Sequence, residues 1–127
     1  MAAWSRDELQ RISETDELEI AAAREDGRLR ERRPIWVVRV GDDLFVRAAY
    51  GRSSAWHRTA RASGHARIWA GGVQKDVAVA DADEGIFDDV DAAYRSKYGR
   101  YDSIVDSITD PEHRATTLRL VPAEQPA

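Results

Sequence analysis

The sequence predicts a β-rich α+β fold, in which six mainly antiparallel strands close into a small β-barrel accompanied by two to four short helices. Tight-turn residues mark two hairpins between β-branched or alternating runs, at Gly41-Asp42 and at Gly71-Gly72. One helical segment follows the third strand and others precede the last strand, an order that a βαβ array does not produce. Six short antiparallel strands avoid exposed edges most simply by closing into a barrel.

The N-terminal half is predicted to contain one helix and three strands. Ser5 and Glu8 form a capping-box pattern, which predicts a short helix with Leu9 and Ile12 on its buried face. Apolar residues with a period of two then indicate a strand over 18–22, followed by a turn at 25–27. Two further strands are predicted over residues 35–40 and 44–50.

The C-terminal half is predicted to contain a hairpin, two helices and a closing strand. Residues 51–64 interrupt the strand pattern, and a hairpin of residues 66–70 and 73–79 follows. Asp83 is the expected N-cap of an acidic helix. Its buried face is expected to carry Phe87, Val90, Tyr94 and Tyr98.

The whole chain is expected to form one domain. A second short helix near residues 104–108 ends before a proline, and residues 117–121 form the last strand. The length of 127 residues fits a single domain. We therefore expect a domain spanning 1–127, with an N-terminal helix within 1–16 and a flexible tail at 122–127.

Composition excludes several classes of protein. The chain has no Cys, which removes disulfides, thiolate nucleophiles and cysteine-ligated metal sites. No uncharged apolar run approaches the roughly 18 residues that a membrane-spanning helix needs, and the first residues lack the apolar core of a signal peptide. From these absences we expect a cytoplasmic domain. We also expect no metal site, because the three His residues do not have the spacing of a helical zinc site.

Charge is distributed unevenly along the chain. Residues 24–67 hold eleven Arg against five acidic residues, whereas residues 76–112 hold three basic against eleven acidic residues. A basic segment in a protein of net charge −4 indicates a site that faces an anion. The alternative is that this segment pairs with the acidic helices of the same fold.

The densest group of anion-binding residue types lies between residues 47 and 58. Gly51 permits close approach of the backbone, and side-chain donors surround it; the candidates are Arg47, Arg52, Ser53, Ser54 and Arg58. Trp56 lies in the same segment, and its indole is suited to stacking on a flat ligand, as are those of Trp36 and Trp69. No Walker or dinucleotide fingerprint is present.

Two residues are candidates for acid–base chemistry, and one Lys for a ligand contact. Histidine is the residue type suited to proton transfer near neutrality, which makes His57 a candidate, although a surface histidine is the alternative. Tyr50 is the second candidate. Lys75 lies in a predicted strand, where it makes either an exposed ion pair or a contact with a ligand at the barrel mouth.

Several segments together resemble bacterial family of unknown function number 2255, over roughly residues 4–122. The segments are Arg33-Pro34-Ile35-Trp36-Val37-Val38-Arg39, Gly41-Asp42, Leu44-Phe45-Val46-Arg47, Gly51, Trp56, Gly71-Gly72, Lys75-Asp76-Val77, Ala93-Tyr94-Arg95-Ser96-Lys97-Tyr98-Gly99-Arg100-Tyr101 and Ala115-Thr116-Thr117-Leu118-Arg119-Leu120. That family is similar in turn to the split β-barrels that bind flavin mononucleotide or a deazaflavin coenzyme.

The resemblance implies a split barrel, a homodimer and a cofactor site. A basic residue before Pro34, either Arg30 or Arg33, would border this site. The segment from Arg47 through Ala48 to Ser53 would hold the cofactor phosphate, and Trp56 would supply the following aromatic ring. Ala48 and Ala49 stand where such proteins often have a hydroxyl or a Lys.

Three functions follow as hypotheses. The first is a flavin- or deazaflavin-binding barrel with oxidoreductase activity of unknown substrate. The second is a cofactor-free enzyme acting on a small anionic metabolite in the same cleft, which the two alanines support. The third is a barrel that binds single-stranded nucleic acid, for which a pI near 5.4 is unfavourable. For Arg47 two ionic partners are possible, a ligand phosphate or a carboxylate from residues 81–91, and we expect the ligand.

Overall fold

The computed structural model describes residues 3–51 and 54–123. Five α-helices and seven strands are formed by these residues. The helices are α1 (Arg6–Glu14), α2 (Ala55–Ser63), α3 (Phe87–Tyr98), α4 (Asp102–Ile108) and α5 (Pro111–Arg114). The strands are β1 (Leu18–Ala22), β2 (Arg33–Ile35), β3 (Val37–Val40), β4 (Asp43–Val46), β5 (His65–Ala70), β6 (Val73–Asp81) and β7 (Leu118–Pro122).

The strands form one antiparallel sheet that curls into a nearly closed barrel. Their order is β2-β1-β5-β6-β7-β4-β3, so the two edge strands are consecutive in the chain. Only Trp36 separates β2 from β3. The chain therefore leaves one edge of the sheet and begins the other within one residue, and the two edges meet at Trp36. We call this junction the seam. The predicted antiparallel barrel is confirmed.

The barrel has seven strands rather than six because the segment at the seam divides. Residues Leu18 and Ile20 of β1 pair with Ile35 and Arg33 of β2, whereas β3 pairs with β4 from Val37 onward. One continuous strand over these residues would have to pair with β1 at one edge of the sheet and with β4 at the other, so the strand breaks at Trp36. Pro34 is tolerated in β2 because an edge strand needs fewer backbone donors.

Strand β4 is shorter than the sequence predicts. Its last pair joins Val46 to Leu118 of β7, and residues 47–50 lie outside the strands. Beyond this pair, hydrogen bonds to the side chains of Thr116 and Thr117 take the place of the backbone hydrogen bonds between the strands. The Thr116 hydroxyl accepts from the Ala48 amide at 3.0 Å, and the Thr117 hydroxyl accepts from Nε of Arg47 at 2.9 Å.

Two apolar layers stabilise the barrel. Side chains that point inward, such as Val37, Leu44 and Val46, pack with α1 and α2 in the interior. The alternate residues Val38 and Phe45 point outward and are covered by a second cluster that α3 and α4 contribute. Its helical members are Val90, Tyr94, Tyr98, Val105 and Ile108. Strand alternation thus places both faces of β3 and β4 in contact with apolar side chains.

The two ends of the chain agree largely with the expectations. The Ser5 hydroxyl accepts from the Glu8 amide and the Glu8 carboxylate accepts from the Ser5 amide, which confirms the capping box. At the C-terminus, Pro122 still pairs with Val77, and the Ala123 amide donates to the Asp76 carbonyl at 2.9 Å. The last strand thus extends into the predicted tail, and residues 124–127 lie outside the described residues. Within the described part, no helix is long and apolar enough to cross a membrane.

Candidate functional site

A pocket of about 460 Å³ opens at the seam of the barrel. One wall is the segment Arg33–Trp36, and the opposite wall is the β4–α2 connection with the first turn of α2. Helix α4 contributes a third side. The lining residues are Glu17, Arg33, Pro34, Ile35, Trp36, Arg47, Ala49, Tyr50, Ser54, Ala55, Trp56, Ile104 and Ile108. The volume lies in the range of roughly 300–1,000 Å³ that small-ligand sites occupy.

Two indoles give the pocket its aromatic character. Trp56 is 8% exposed and lies in the first turn of α2. Trp36 lies at the seam, where its ring stacks on Tyr98 with centroids 4.0 Å apart and planes 2° apart. One face of the Trp36 ring is therefore covered by Tyr98, while the same residue lines the pocket. Such a backed aromatic surface is suited to a flat ring.

Tyr98 is held firmly beneath Trp36. Its hydroxyl donates to the Asp16 carbonyl at 2.7 Å and accepts from the Val37 amide at 3.3 Å. Burial raises the pKa of Tyr98 to about 12, so the phenol stays protonated near neutral pH and keeps this donor. The stack of Trp36 on Tyr98 is consequently a rigid part of the pocket wall.

Arg47 is the largest correction to the sequence-based expectations. It is 1% exposed, and its guanidinium donates to the Asp91 carboxylate at 2.5 Å. It also donates to the carbonyls of Ile108 and Phe87 at 3.0 and 3.2 Å, in addition to Thr117. The carboxylate, and not a ligand phosphate, is its ionic partner. The preference for the ligand was therefore wrong, although Arg47 still borders the pocket.

The reason for this pairing lies in the cost of burying charge. A guanidinium removed from water needs a nearby anion and a partner for most of its donors, and Asp91 on α3 supplies the anion. The second oxygen of Asp91 lies 3.1 Å from Nε of Arg114, so one carboxylate is shared by two guanidinium groups. Arg47 and Asp91 connect the barrel to α3.

The two acid–base candidates separate in the structure. Tyr50 lines the pocket with 89% of its surface exposed, at the rim. His57 does not line the pocket; it is 3% exposed, and its Nε2 lies 2.9 Å from the Thr116 carbonyl. That nitrogen therefore bears the hydrogen and donates it. The alternative of a surface histidine is wrong, because the ring is buried against the segment that precedes β7.

The other predicted site residues fall into three groups. Arg33 lines the pocket and is exposed, with a Glu31 carboxylate 3.5 Å away. Ala48 and Gly51 form the turn beside the pocket, where the Gly51 amide donates to the Ala48 carbonyl at 3.0 Å and a φ of +79° explains the glycine. Arg52 and Ser53 lie outside the described residues.

Two predicted residues lie away from the pocket. Arg58 lies on the exposed surface of α2, in an adjoining groove. The Nζ atom of Lys75 is 2.8 Å from the carboxylate of Glu8 in the first turn of α1. The sequence allowed an ion pair here, but the pair is half-buried rather than exposed, because the two side chains are 36% and 18% exposed.

Several residues of the pocket carried no sequence signal for this site. Ile104 and Ile108 come from α4, fifty or more residues after the β4–α2 connection that lines the same pocket. The sequence predicts Ile35 within a strand. Its place on an edge strand beside the pocket depends on how the barrel closes. Glu17 precedes β1 and adds a carboxylate to the rim. Contacts between residues so far apart in the sequence produce no local pattern from which they could be predicted.

Solved structures with the same fold define the class of this protein as a split β-barrel. The chain matches the heme storage protein HutZ from Vibrio cholerae with a TM-score of 0.71 and 15% identity, over 91% of this chain and 87% of that chain. It matches an F420-H2-dependent reductase with a TM-score of 0.62 and 12% identity, over 84% and 93%. A FAD-binding protein from Mesorhizobium loti matches with a TM-score of 0.58 and 13% identity, over 97% and 92%.

At these identities the likeness establishes the fold alone. The chain belongs to the bacterial family described as "Uncharacterized protein conserved in bacteria (DUF2255)", whose model matches residues 8–120. This confirms the resemblance that the sequence motifs indicated. A search of curated proteins gives no match.

Proposed function

We propose that this protein binds a flat, anionic cofactor of the flavin type, flavin mononucleotide or a deazaflavin coenzyme, in the pocket at the seam. The observation that carries the proposal is the pairing of two indoles, Trp36 and Trp56, with an exposed guanidinium, Arg33, in one pocket of ligand size. Flat heteroaromatic rings stack on indoles, and phosphate accepts from a guanidinium fork. The solved structures named above include proteins that bind FAD or use F420, which supports this choice.

The residues fit such a cofactor in part by stacking and in part by charge. Trp36, backed by Tyr98, and Trp56 would orient the ring, while Pro34 and Ile35 would exclude water from its edge. Arg33 and the hydroxyl of Ser54 would hold the phosphate. The bound cofactor would supply hydride transfer, and the protein would act as an oxidoreductase of unknown substrate.

Heme fits this pocket less well. Among the described residues that line the pocket there is no His, Cys or Met, and Tyr50 is the one side chain of a type that serves as an axial ligand. Tyr50 lies at the rim rather than above the pocket floor. We therefore favour the flavin-type ligand.

A homodimer is part of the proposal. Tyr50, Tyr101 and Ile104 are exposed by 89%, 42% and 46%. Tyr50 and Ile104 line the pocket, and Tyr101 lies 5.7 Å from Trp36 between ring centroids. Large apolar side chains exposed together around a pocket mouth are typical of an interaction surface. A second copy of the chain placed there would close the pocket, as the resemblance to dimeric split barrels implies.

The proposal is tested by binding measurements on the purified protein. We expect saturable binding of flavin mononucleotide or of the deazaflavin coenzyme, seen as quenching of tryptophan and ligand fluorescence. Arg33→Ala should weaken binding of the phosphorylated ligand about tenfold or more, the scale of a lost charge-assisted hydrogen bond. Arg32→Ala is the matched control, because Arg32 stacks over Trp69 away from the pocket.

Three outcomes would contradict the proposal. Absence of binding to both cofactors, together with a colourless protein that binds a small anionic metabolite, would favour the cofactor-free enzyme. A Soret band on adding heme that persists through gel filtration would favour a heme protein. Binding of an oligonucleotide that weakens steeply with added salt would favour the nucleic-acid hypothesis.

A further inference from the structure

A second groove continues from the pocket along helix α2. It has a volume of about 390 Å³ and is lined by Arg24, Glu25, Arg30, Ala55, Arg58, Thr59 and Ala62. Ala55 lines both the pocket and this groove. Because the methyl group of Ala55 is small, the side chain at the junction leaves room for a ligand to pass from the pocket into the groove.

The same two segments form the walls of both spaces. The segment that provides Arg33 to the pocket provides Arg30 to the groove, and α2 provides Trp56 to the pocket and Arg58 to the groove. A helix rises 1.5 Å per residue, so Ala62 lies about 10 Å along the axis from Ala55. The groove is therefore longer than a single phosphate group and adjoins the pocket at Ala55.

Among the described residues, the guanidinium groups that line the groove form no ion pair. Within residues 3–51 and 54–123, no carboxylate lies within 4 Å of the guanidinium nitrogens of Arg24, Arg30 or Arg58. In contrast, Arg61 on the same helix pairs with Asp81 at 2.9 Å, and Arg67 pairs with Asp76 at 2.6 Å. Three guanidinium groups and one carboxylate, Glu25, give this groove a net charge of +2 in a chain whose net charge is −4.

We infer that the groove receives an anionic extension of the ligand whose ring occupies the pocket. The ligand class is then a flavin-type molecule with a second anionic group beyond the phosphate of its ribityl chain, as in a dinucleotide. This inference rests on the proposed function and specifies the ligand. Arginine is suited to this role, because its planar fork binds phosphate or carboxylate through two parallel hydrogen bonds. Arg24 follows β1 and Arg58 lies on α2, so two different elements contribute guanidinium groups to the groove.

The inference is tested with three flavins that share one ring. Riboflavin has no anionic group, flavin mononucleotide has one phosphate at the end of its ribityl chain, and FAD extends from there to a second phosphate and an adenosine. We expect the double variant Arg24→Ala/Arg58→Ala to raise the Kd of FAD about tenfold or more. The Kd of riboflavin should change less than about twofold, since its ring stays in the pocket.

Two further variants complete the design. Ala55→Leu places a larger side chain at the junction and should weaken FAD more than riboflavin. Arg61→Ala removes a guanidinium one turn along the same helix that is already paired, and should leave all three flavins unchanged. Leucine is a strong helix former, and Ala55 is half-buried at the start of α2, so this helix should persist.

The results separate the inference from the proposed function. If riboflavin and flavin mononucleotide bind and the groove variants affect all flavins equally or not at all, the inference is overturned and the proposed function stands. If neither the flavins nor the deazaflavin coenzyme bind, both fail. A preference for FAD over riboflavin that disappears in the Arg24→Ala/Arg58→Ala variant, with folding unchanged by circular dichroism, supports it.

Discussion

Arg47 illustrates how a buried charge is compensated within this fold. Its partners come from α3, from the end of α4 and from the segment before β7, at separations of 44, 61 and 70 residues along the chain. Because each partner belongs to a different element, the guanidinium connects the barrel to the layer of helices that covers it. Its guanidinium is thus bonded to the protein itself at the border of the pocket.

Removing this side chain should therefore destabilise the protein. Arg47→Ala leaves Asp91 buried with Arg114 as its remaining partner, and we expect a loss of about 3–5 kcal/mol in the free energy of unfolding, as for other broken buried ion pairs. Urea denaturation measures this directly. Arg67→Ala, which removes a largely exposed pair, should cost about 1 kcal/mol or less. An Arg47→Ala protein of unchanged stability that has lost only ligand affinity would show instead that Arg47 binds the ligand.

At the scale of elements, the β5–β6 hairpin and helix α1 approach each other closely. A Cβ atom at Gly71 would lie 2.5 Å from the Arg11 carbonyl oxygen and 2.8 Å from its carbon. Gly71 also has a φ of +56°. The turn thus needs a glycine for two reasons, the backbone conformation and the contact with α1. Lys75 and Glu8 fix the same two elements together with their ion pair.

A pair of glycine substitutions separates these two reasons. Gly71→Ala should lower the free energy of unfolding by more than the roughly 1–3 kcal/mol of a strained left-handed residue, because the backbone of α1 must also move. Gly41→Ala is the matched control: its φ is +61°, and nothing lies within 4 Å of the added Cβ. The difference between the two variants, measured by urea denaturation, gives the cost of displacing α1. Equal losses would show that the contact contributes nothing.

For the whole molecule, closure of the barrel determines where a ligand can bind. The two edges of the sheet meet at Trp36, and the pocket opens where no further strand covers them. The apolar side chains around this opening are exposed in the single chain. A dimer that covers them would bury the rim and enclose the ligand.

Self-association should therefore depend on the rim. Ile104→Glu introduces a charge on an exposed residue, and we expect it to shift the protein from dimer to monomer in sedimentation velocity experiments while leaving its folding intact. Leu29→Glu is the control, since Leu29 is similarly exposed, at 37%, but lines a different groove. A wild-type protein that sediments as a monomer at high concentration, or equal behaviour of both variants, would remove the dimer from the proposal.

The local features of this protein follow from the sequence alone. The capping box at Ser5 and the hairpin turn glycines are visible because they depend on neighbouring residues. The inward and outward residues of β3 and β4 follow from a period of two. The burial of Val90, Tyr94 and Tyr98 on α3 follows from a helical period, whereas Phe87, expected on the same face, is half-buried. Antiparallel pairing and a barrel then follow from the order of these elements.

Only the tertiary structure decided the composition of the site. The division of one predicted strand at Trp36 depends on which two edges meet, and the burial of His57 depends on a carbonyl 59 residues away. The choice of Asp91 as the partner of Arg47 depends on how α3 lies on the barrel. Such pairings are set by packing and by the cost of burying charge, and no local pattern records them. The sequence therefore determines the elements and their residue types, whereas the fold determines which residues form the pocket.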